Sequence, residues 1–134
     1  MKLSTRGRYG LMAMHHLMIS STDGPVPLKN IAKAENLSEA YLEQLFSALR
    51  KEELIKSVRG PQGGYILAKP AEDITIGEIL RVLEGDMSLY KHCTELNNEC
   101  SRIEECPTRD VLTKLQLKID KVMDSMSLAD MSNI

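Results

Sequence analysis

The sequence lacks any apolar run approaching the length of a membrane span, and residues 1–20 lack the apolar core and small-residue cleavage site of a secretory signal. It contains no internal repeat and no low-complexity tract. No nucleophile and base pair or catalytic motif stands out, so an enzyme is not expected. It also lacks an excess of charge: the formal net value of -2 gives no overall signal for nucleic acid. Cysteine is scarce, three in 134 residues, an odd number that does not make a disulfide framework. These absences describe a small chain with one core and an extension, expected to be cytoplasmic, where thiols stay reduced.

The charge that is present is unevenly spread. Residues 1–69 carry Lys2, Arg6, Arg8, Lys29, Lys33, Arg50, Lys51, Lys56, Arg59 and Lys69 against Asp23, Glu35, Glu39, Glu43, Glu52 and Glu53, and acids outnumber bases beyond. A basic first half before an acidic second half fits a DNA-contacting domain followed by a sensing or assembly region.

Periodicity predicts the elements. Leu11, Met14, His15 and Met18 recur at helical spacing, so Thr5 to about Ser20 is expected to be a helix stopped by Thr22-Asp23-Gly24-Pro25. Leu28 to Glu35 forms a second, short helix with Leu28, Ile31 and Ala32 inward; Asn36 tolerates a left-handed stop, and Ser38 can cap the next helix. That third helix, to about Glu52, buries Leu42, Leu45, Phe46 and Leu49. Two helices joined this tightly outline a helix-turn-helix. Leu54 to Arg59 and Tyr65 to Ala68 then read as strands around Gly60-Pro61-Gln62-Gly63-Gly64, a hairpin placed as a wing.

Thr75 can cap a helix carrying Ile76, Ile79, Leu80 and Leu83, stopped at Gly85. A last helix starts near Pro107, with Leu112, Leu115, Ile119, Val122 and Met126 alternating steps of three and four, a coiled-coil seam that predicts a homodimer. Ser127-Leu128-Ala129-Asp130 can cap one further turn. The expected fold is mainly α with a small β-hairpin wing. Residues 1–85 form a winged helix-turn-helix DNA-binding domain, 86–107 a cysteine loop, and 108–134 a dimerisation helix and tail.

Opposite the core stripe of the third helix lie Glu39, Ala40, Glu43, Gln44, Ser47, Arg50 and Lys51. In a major groove of double-stranded DNA, Gln44 can bond adenine in bidentate fashion, Glu43 can accept from a cytosine amino group, and Ala40 can touch a thymine methyl. Arg50 and Lys51 are better placed for phosphates. Taken alone this is also the pattern of a solvated amphipathic face. The wing argues otherwise: Arg59, beside Gly60 and Pro61, projects from a tight turn that a minor groove accepts, although a loop charge that keeps the hairpin soluble would look the same.

Leu3-Ser4-Thr5-Arg6-Gly7-Arg8-Tyr9-Gly10-Leu11, Tyr41-Leu42-Glu43-Gln44-Leu45-Phe46 and Val58-Arg59-Gly60-Pro61-Gln62-Gly63-Gly64-Tyr65 closely resemble the Rrf2 family of bacterial winged-helix regulators, over essentially the whole chain. The resemblance implies a homodimer on a pseudo-palindromic operator, with Glu43, Gln44 and Arg59 matching the DNA-reading positions of IscR-like members. Where a serine stands in such members, this chain has Ala40.

Cys93, Cys100 and Cys106 are clustered in a polar stretch, spaced more widely than the paired knuckles of a zinc ribbon. Thiolates select soft metals, iron in clusters or zinc. Pro107 at a first helical position makes Cys106 the N-cap, where the helix dipole favours a thiolate and an anionic cluster. Three unrelated thiols are the alternative.

The resemblance implies an iron-sulfur cluster on these cysteines, 2Fe-2S favoured over 4Fe-4S; CymR-like members of the family generally lack them. The fourth ligand departs from the family. The histidine that IscR-like proteins place three residues beyond the third cysteine is Arg109 here, and the aspartate that NsrR-like proteins borrow from the partner subunit is Arg8. His92, Glu104, Glu105 and Asp110 nearby, or His15 or His16 from the partner subunit, are the candidates. His15 equally suits helix packing, and His16 a surface position.

The function expected from all this is a cluster-sensing repressor of cluster-assembly genes. Alternatives are a redox or nitric oxide responsive repressor, a CymR-like regulator of cysteine metabolism and, from another class, an iron-sulfur or zinc carrier protein.

Overall fold

The computed structural model describes residues 2–89 and 106–133. Along these run α1 (Thr5–Ser20), α2 (Leu28–Ala34), α3 (Glu39–Lys51), the strands β1 (Ile55–Val58) and β2 (Gly64–Leu67), α4 (Ile76–Glu84), α5 (Pro107–Ser125) and a closing 3-10 turn (Leu128–Asn133). The strands pair antiparallel with Ile55 opposite Leu67 and Val58 opposite Gly64. This is a mainly helical winged-helix fold with a two-stranded hairpin.

Leu42, Leu45, Phe46 and Leu49 of α3 are wholly buried, as their spacing predicts, and α1, α2, α4 and β1 pack around that stripe. Ile31 and Ala32 from α2, and Ile79 and Leu83 from α4, complete the core. Thr75 starts α4 with a full capping box: its hydroxyl accepts from the Glu78 amide at 3.0 Å, and the Glu78 carboxylate accepts from the Thr75 amide at 3.0 Å. Reciprocal bonds of this kind satisfy two amides that the helix start leaves unpaired.

The buried stripe of α1 differs from the expectation. Gly7, Gly10, Ala13, Met14 and Leu17 face inward, whereas Leu11, His15 and Met18 are only half-buried. The reason is close approach to α4. A Cβ on Gly10 would run into Leu83, and one on Gly7 would meet the Glu84 carboxylate and come within 3.1 Å of Leu80. Glycine admits the second helix at the cost of carrying no apolar signal.

Glu84 locks this contact. Its Oε1 accepts from the Ser4 amide (3.0 Å), the Ser4 hydroxyl (2.8 Å) and the Gly7 amide (2.7 Å), while Arg6 Nε donates to the Leu83 carbonyl (3.1 Å). Partial burial pushes the carboxyl up. The donated bonds, with the charge of Arg6, outweigh it and hold Glu84 below the ordinary glutamate range. A depressed folded-state value means the stabilisation is complete above the unfolded-state value and is lost as pH falls through the folded one. Glu84→Gln is therefore expected to lower stability near neutral pH by about 1 kcal/mol, discounted for solvent screening, and to flatten the acid limb of the stability curve. Thermal melts across a pH series check this; parallel curves for the two proteins would refute it.

The other end of the chain returns to the same core. The Ile76 amide donates to the Met126 carbonyl and the Leu128 amide to the Ile74 carbonyl, each at 2.8 Å, and Leu128 is wholly buried among core side chains. Arg81 clamps α4 to α5 through a bidentate pair with Asp124 (2.7 and 3.2 Å) and a contact with Asp120 (3.5 Å). Gly77 allows this clamp, since a Cβ there would strike Asp124.

Candidate nucleic-acid interface

The turn between α2 and α3 is made by backbone bonds: the Glu35 amide to the Ile31 carbonyl at 2.9 Å, and the Leu37 amide to the Ala32 carbonyl at 2.8 Å. Asn36 stands at φ 55° between them. Asparagine is among the few residues that adopt this conformation cheaply. Ser38 then caps α3 by accepting from the Tyr41 amide at 3.1 Å. The Tyr41 ring meets Tyr9 of α1 edge-on, with centroids 6.2 Å apart.

With one face of α3 fixed against the core, the opposite face is determined. Glu39, Ala40, Glu43, Gln44, Ser47, Arg50 and Lys51 are all exposed. Five of them, Ala40, Glu43, Gln44, Ser47 and Arg50, together with Tyr65 of β2, line an open depression of about 560 Å³. No ion pair joins Glu43, Arg50, Lys51 or Arg59 to another of the described residues, so their charges stay available to a ligand.

The hairpin tip carries Arg59, Gly60 and Pro61, all exposed. Gly60 takes φ 117°, and the Gly63 amide donates to its carbonyl at 2.9 Å, closing a tight turn over Pro61 and Gln62. Proline presets the backbone for the second position of such a turn. The hairpin is pinned to the body by two bonds between Val26 and Tyr65, at 3.0 and 2.9 Å, and by the Tyr65 ring edge-on to Phe46 at 5.0 Å. Tyr65, opposite Ser57 in the hairpin, lines the depression of the candidate interface but was not singled out from the sequence, because its place depends on this docking.

Of the cysteines, Cys106 lies within the described residues; Cys93, Cys100, His92, Glu104 and Glu105 lie outside them. Cys106 is half-buried at the N-cap of α5, with Pro107 first in the helix and the Arg109 amide donating to the Cys106 carbonyl at 3.2 Å. A thiol at the start of a 19-residue helix suits the thiolate that soft-metal ligation requires, so this residue fits an anionic cluster. Asp110 is exposed one turn on. His15 is half-buried in α1, and His16 Nδ1 lies 3.6 Å from the Glu35 carboxylate, joining α1 to the end of α2. Among the described residues no three metal-binding side chains converge.

Known proteins are similar over the whole of this architecture. The Rrf2 family model, described as an iron-dependent transcriptional regulator, matches residues 3–134. The regulator CymR of Bacillus subtilis is 43% identical, across 99% of this chain and 91% of its own. IscR of Yersinia enterocolitica is 36% identical, across 99% and 80%. Among solved structures, T. potens IscR is 45% identical with a TM-score of 0.74, covering 99% of this chain and 87% of its own. That of CymR, the global cysteine regulator of B. subtilis, is 41% identical with a TM-score of 0.78, covering 99% and 97%. With its helix-turn-helix, its wing and this full-length match, the chain belongs to the Rrf2 family of DNA-binding transcriptional regulators.

Proposed function

We propose that this regulator is a homodimeric, cytoplasmic repressor that senses an iron-sulfur cluster held by Cys93, Cys100 and Cys106, of the 2Fe-2S type by family resemblance, and controls cluster-assembly genes. The observation that carries the reading is the position of Cys106: the third thiol begins the helix with the largest exposed apolar face. Of the expected seam Leu115 (45%), Val122 (62%) and Met126 (50%) stand in solvent along α5 with Val111 beside them, while Leu112 and Ile119 are half-buried. Side chains of this size in a row favour a protein partner, and a second copy of the seam supplies one.

The division of work among the residues follows from their chemistry. Gln44 and Glu43 read base edges, Arg59 enters the minor groove beside the turn at Gly60 and Pro61, and Arg50 and Lys51 hold phosphates. The cluster, when bound, supplies a redox-sensitive centre of iron and sulfide. Cys106 transmits its presence by fixing the start of α5. Whichever arrangement of the two subunits holds the thiolates better becomes more populated, and operator affinity changes with it. His92, Glu104, Glu105, Asp110, or His15 or His16 of the partner subunit supplies the fourth ligand.

Anaerobic purification tests this. A coloured protein with iron and sulfide in stoichiometry, sedimenting as a dimer, is the expected outcome. The likeness to CymR supports a second reading, regulation of cysteine metabolism without a metal. Colourless, iron-free protein that still binds DNA would select it. Cluster or zinc without salt-dependent DNA affinity would instead mark a carrier.

A further inference from the structure

Arg50 lines a second depression besides the one holding the base-facing residues. This one, about 570 Å³ and open to solvent, lies between the end of α3 and β1, with Glu53, Ile55, Lys56, Ser57 and Ala68 as the other lining residues. Of its lining residues Arg50, Lys56 and Ser57 are exposed and carry donor groups, Lys56 at the rim because its side chain leaves β1 on the face opposite Ser57, and Glu53 is the one acid. Neither Arg50 nor Lys56 is ion-paired among the described residues.

The wall is held firmly. Ile55 beneath it is buried, Lys56 is paired across the hairpin with Ile66, and the Ala68 amide donates to the Leu54 carbonyl at 3.1 Å. Glu53 stands at φ 62°, in the left-handed region, where its amide bonds the Arg50 carbonyl at 2.9 Å.

The geometry points to a seat for one backbone phosphate of duplex DNA, formed by Lys56, Ser57 and Arg50 and restrained by Glu53. This rests on the DNA-binding reading and extends it to β1. A phosphate there bridges the reading helix and the wing, so it sets the angle at which Gln44 and Arg59 meet their two grooves. Arg50, shared by both depressions, makes the seat continuous with the base-facing surface, as a nucleotide flanking the stretch read by α3 requires. Glu53 beside the donors weakens the attraction and keeps sequence-independent binding low.

The test uses the full chain with sheared mixed-sequence duplex DNA and fluorescence polarisation over a salt series. Lys56→Ala is expected to weaken binding roughly fivefold per subunit near physiological salt and to reduce the salt slope by about 0.9 per subunit. Glu53→Gln is expected to tighten binding, a gain that a merely structural role would not give. Thermal melts of both variants should match the wild type. If Arg59→Ala weakens binding while Lys56→Ala and Glu53→Gln leave affinity and slope unchanged, the seat is overturned. Competition by inorganic phosphate at constant ionic strength, with the Lys56→Ala slope unchanged, would overturn it too, by marking a free-anion site. A wild-type chain without salt-dependent duplex binding would remove the DNA reading itself.

Discussion

Cys106→Ser protein prepared without oxygen is expected to be colourless and iron-poor, yet to melt no lower than wild-type protein stripped of iron. Clusters of the proposed kind take four protein ligands, of which the proposal draws three from this chain's cysteines. Removing one leaves two thiolates and the non-thiolate fourth ligand, too few to hold the inorganic core against exchange. The same position starts α5, and serine is among the preferred residues at a helix N-cap, so the helix start survives the exchange. The two measurements therefore separate. Iron, acid-labile sulfide and visible absorbance report ligation, whereas the melt of the iron-free proteins reports the fold. Full iron and sulfide content in the variant would show that Cys106 is not a ligand.

Gly64→Ala is expected to unseat the hairpin from the body of the protein. A Cβ at this position would strike the Val26 carbonyl and stand 2.7 Å from the Pro27 nitrogen. These neighbours are backbone and cannot rotate aside. Relief requires β2 to move away from Val26, which sacrifices the paired bonds of 3.0 and 2.9 Å between Val26 and Tyr65. Two net hydrogen bonds at about 1 kcal/mol each, with overpacking of about 1 kcal/mol, give roughly 3 kcal/mol. That corresponds to a fall in Tm on the order of 10 °C for a chain of this size. DNA affinity should fall as well, even where the variant stays folded, because Arg59 and Pro61 are carried on the hairpin that Val26 positions. Melting and DNA titration of the same preparation check both halves. An unchanged Tm would mean that the strand yields without cost.

Where apolar side chains carry the signal, the fold was legible in the sequence. The α3 stripe, the Thr75 cap, the stop at Asn36 and the start of α5 at Pro107 all stand where residue type and spacing put them. Legibility failed where contact depends on a missing side chain. Gly7 and Gly10 bring α1 against α4, and a hydrophobic pattern has no symbol for a glycine that packs, so the spacing was read on Leu11, Met14, His15 and Met18, of which Met14 is buried and the others half-buried. Pairings across long sequence separations were equally hidden. Nothing local marks Glu84 as the partner of Ser4, Val26 as the partner of Tyr65, or Leu128 as a core residue. In the candidate interface, the exposed face of α3 followed from its buried one. Tyr65 did not, because its place depends on how the hairpin docks.

The return of Leu128 to the core bears on the cysteine segment through chain statistics. The bonds of Ile76 to Met126 and of Leu128 to Ile74 join points separated by the whole of α4, that segment and α5, and the Arg81 clamp ties the two helices again part-way along. The entropy of closing this long excursion is thus spent in folding, before any ligand arrives. If the proposed cluster is held there, its thiols would meet the metal at an effective concentration raised by this closure. By linkage, such a ligand would strengthen the clamp by the free energy with which the clamp favours its binding.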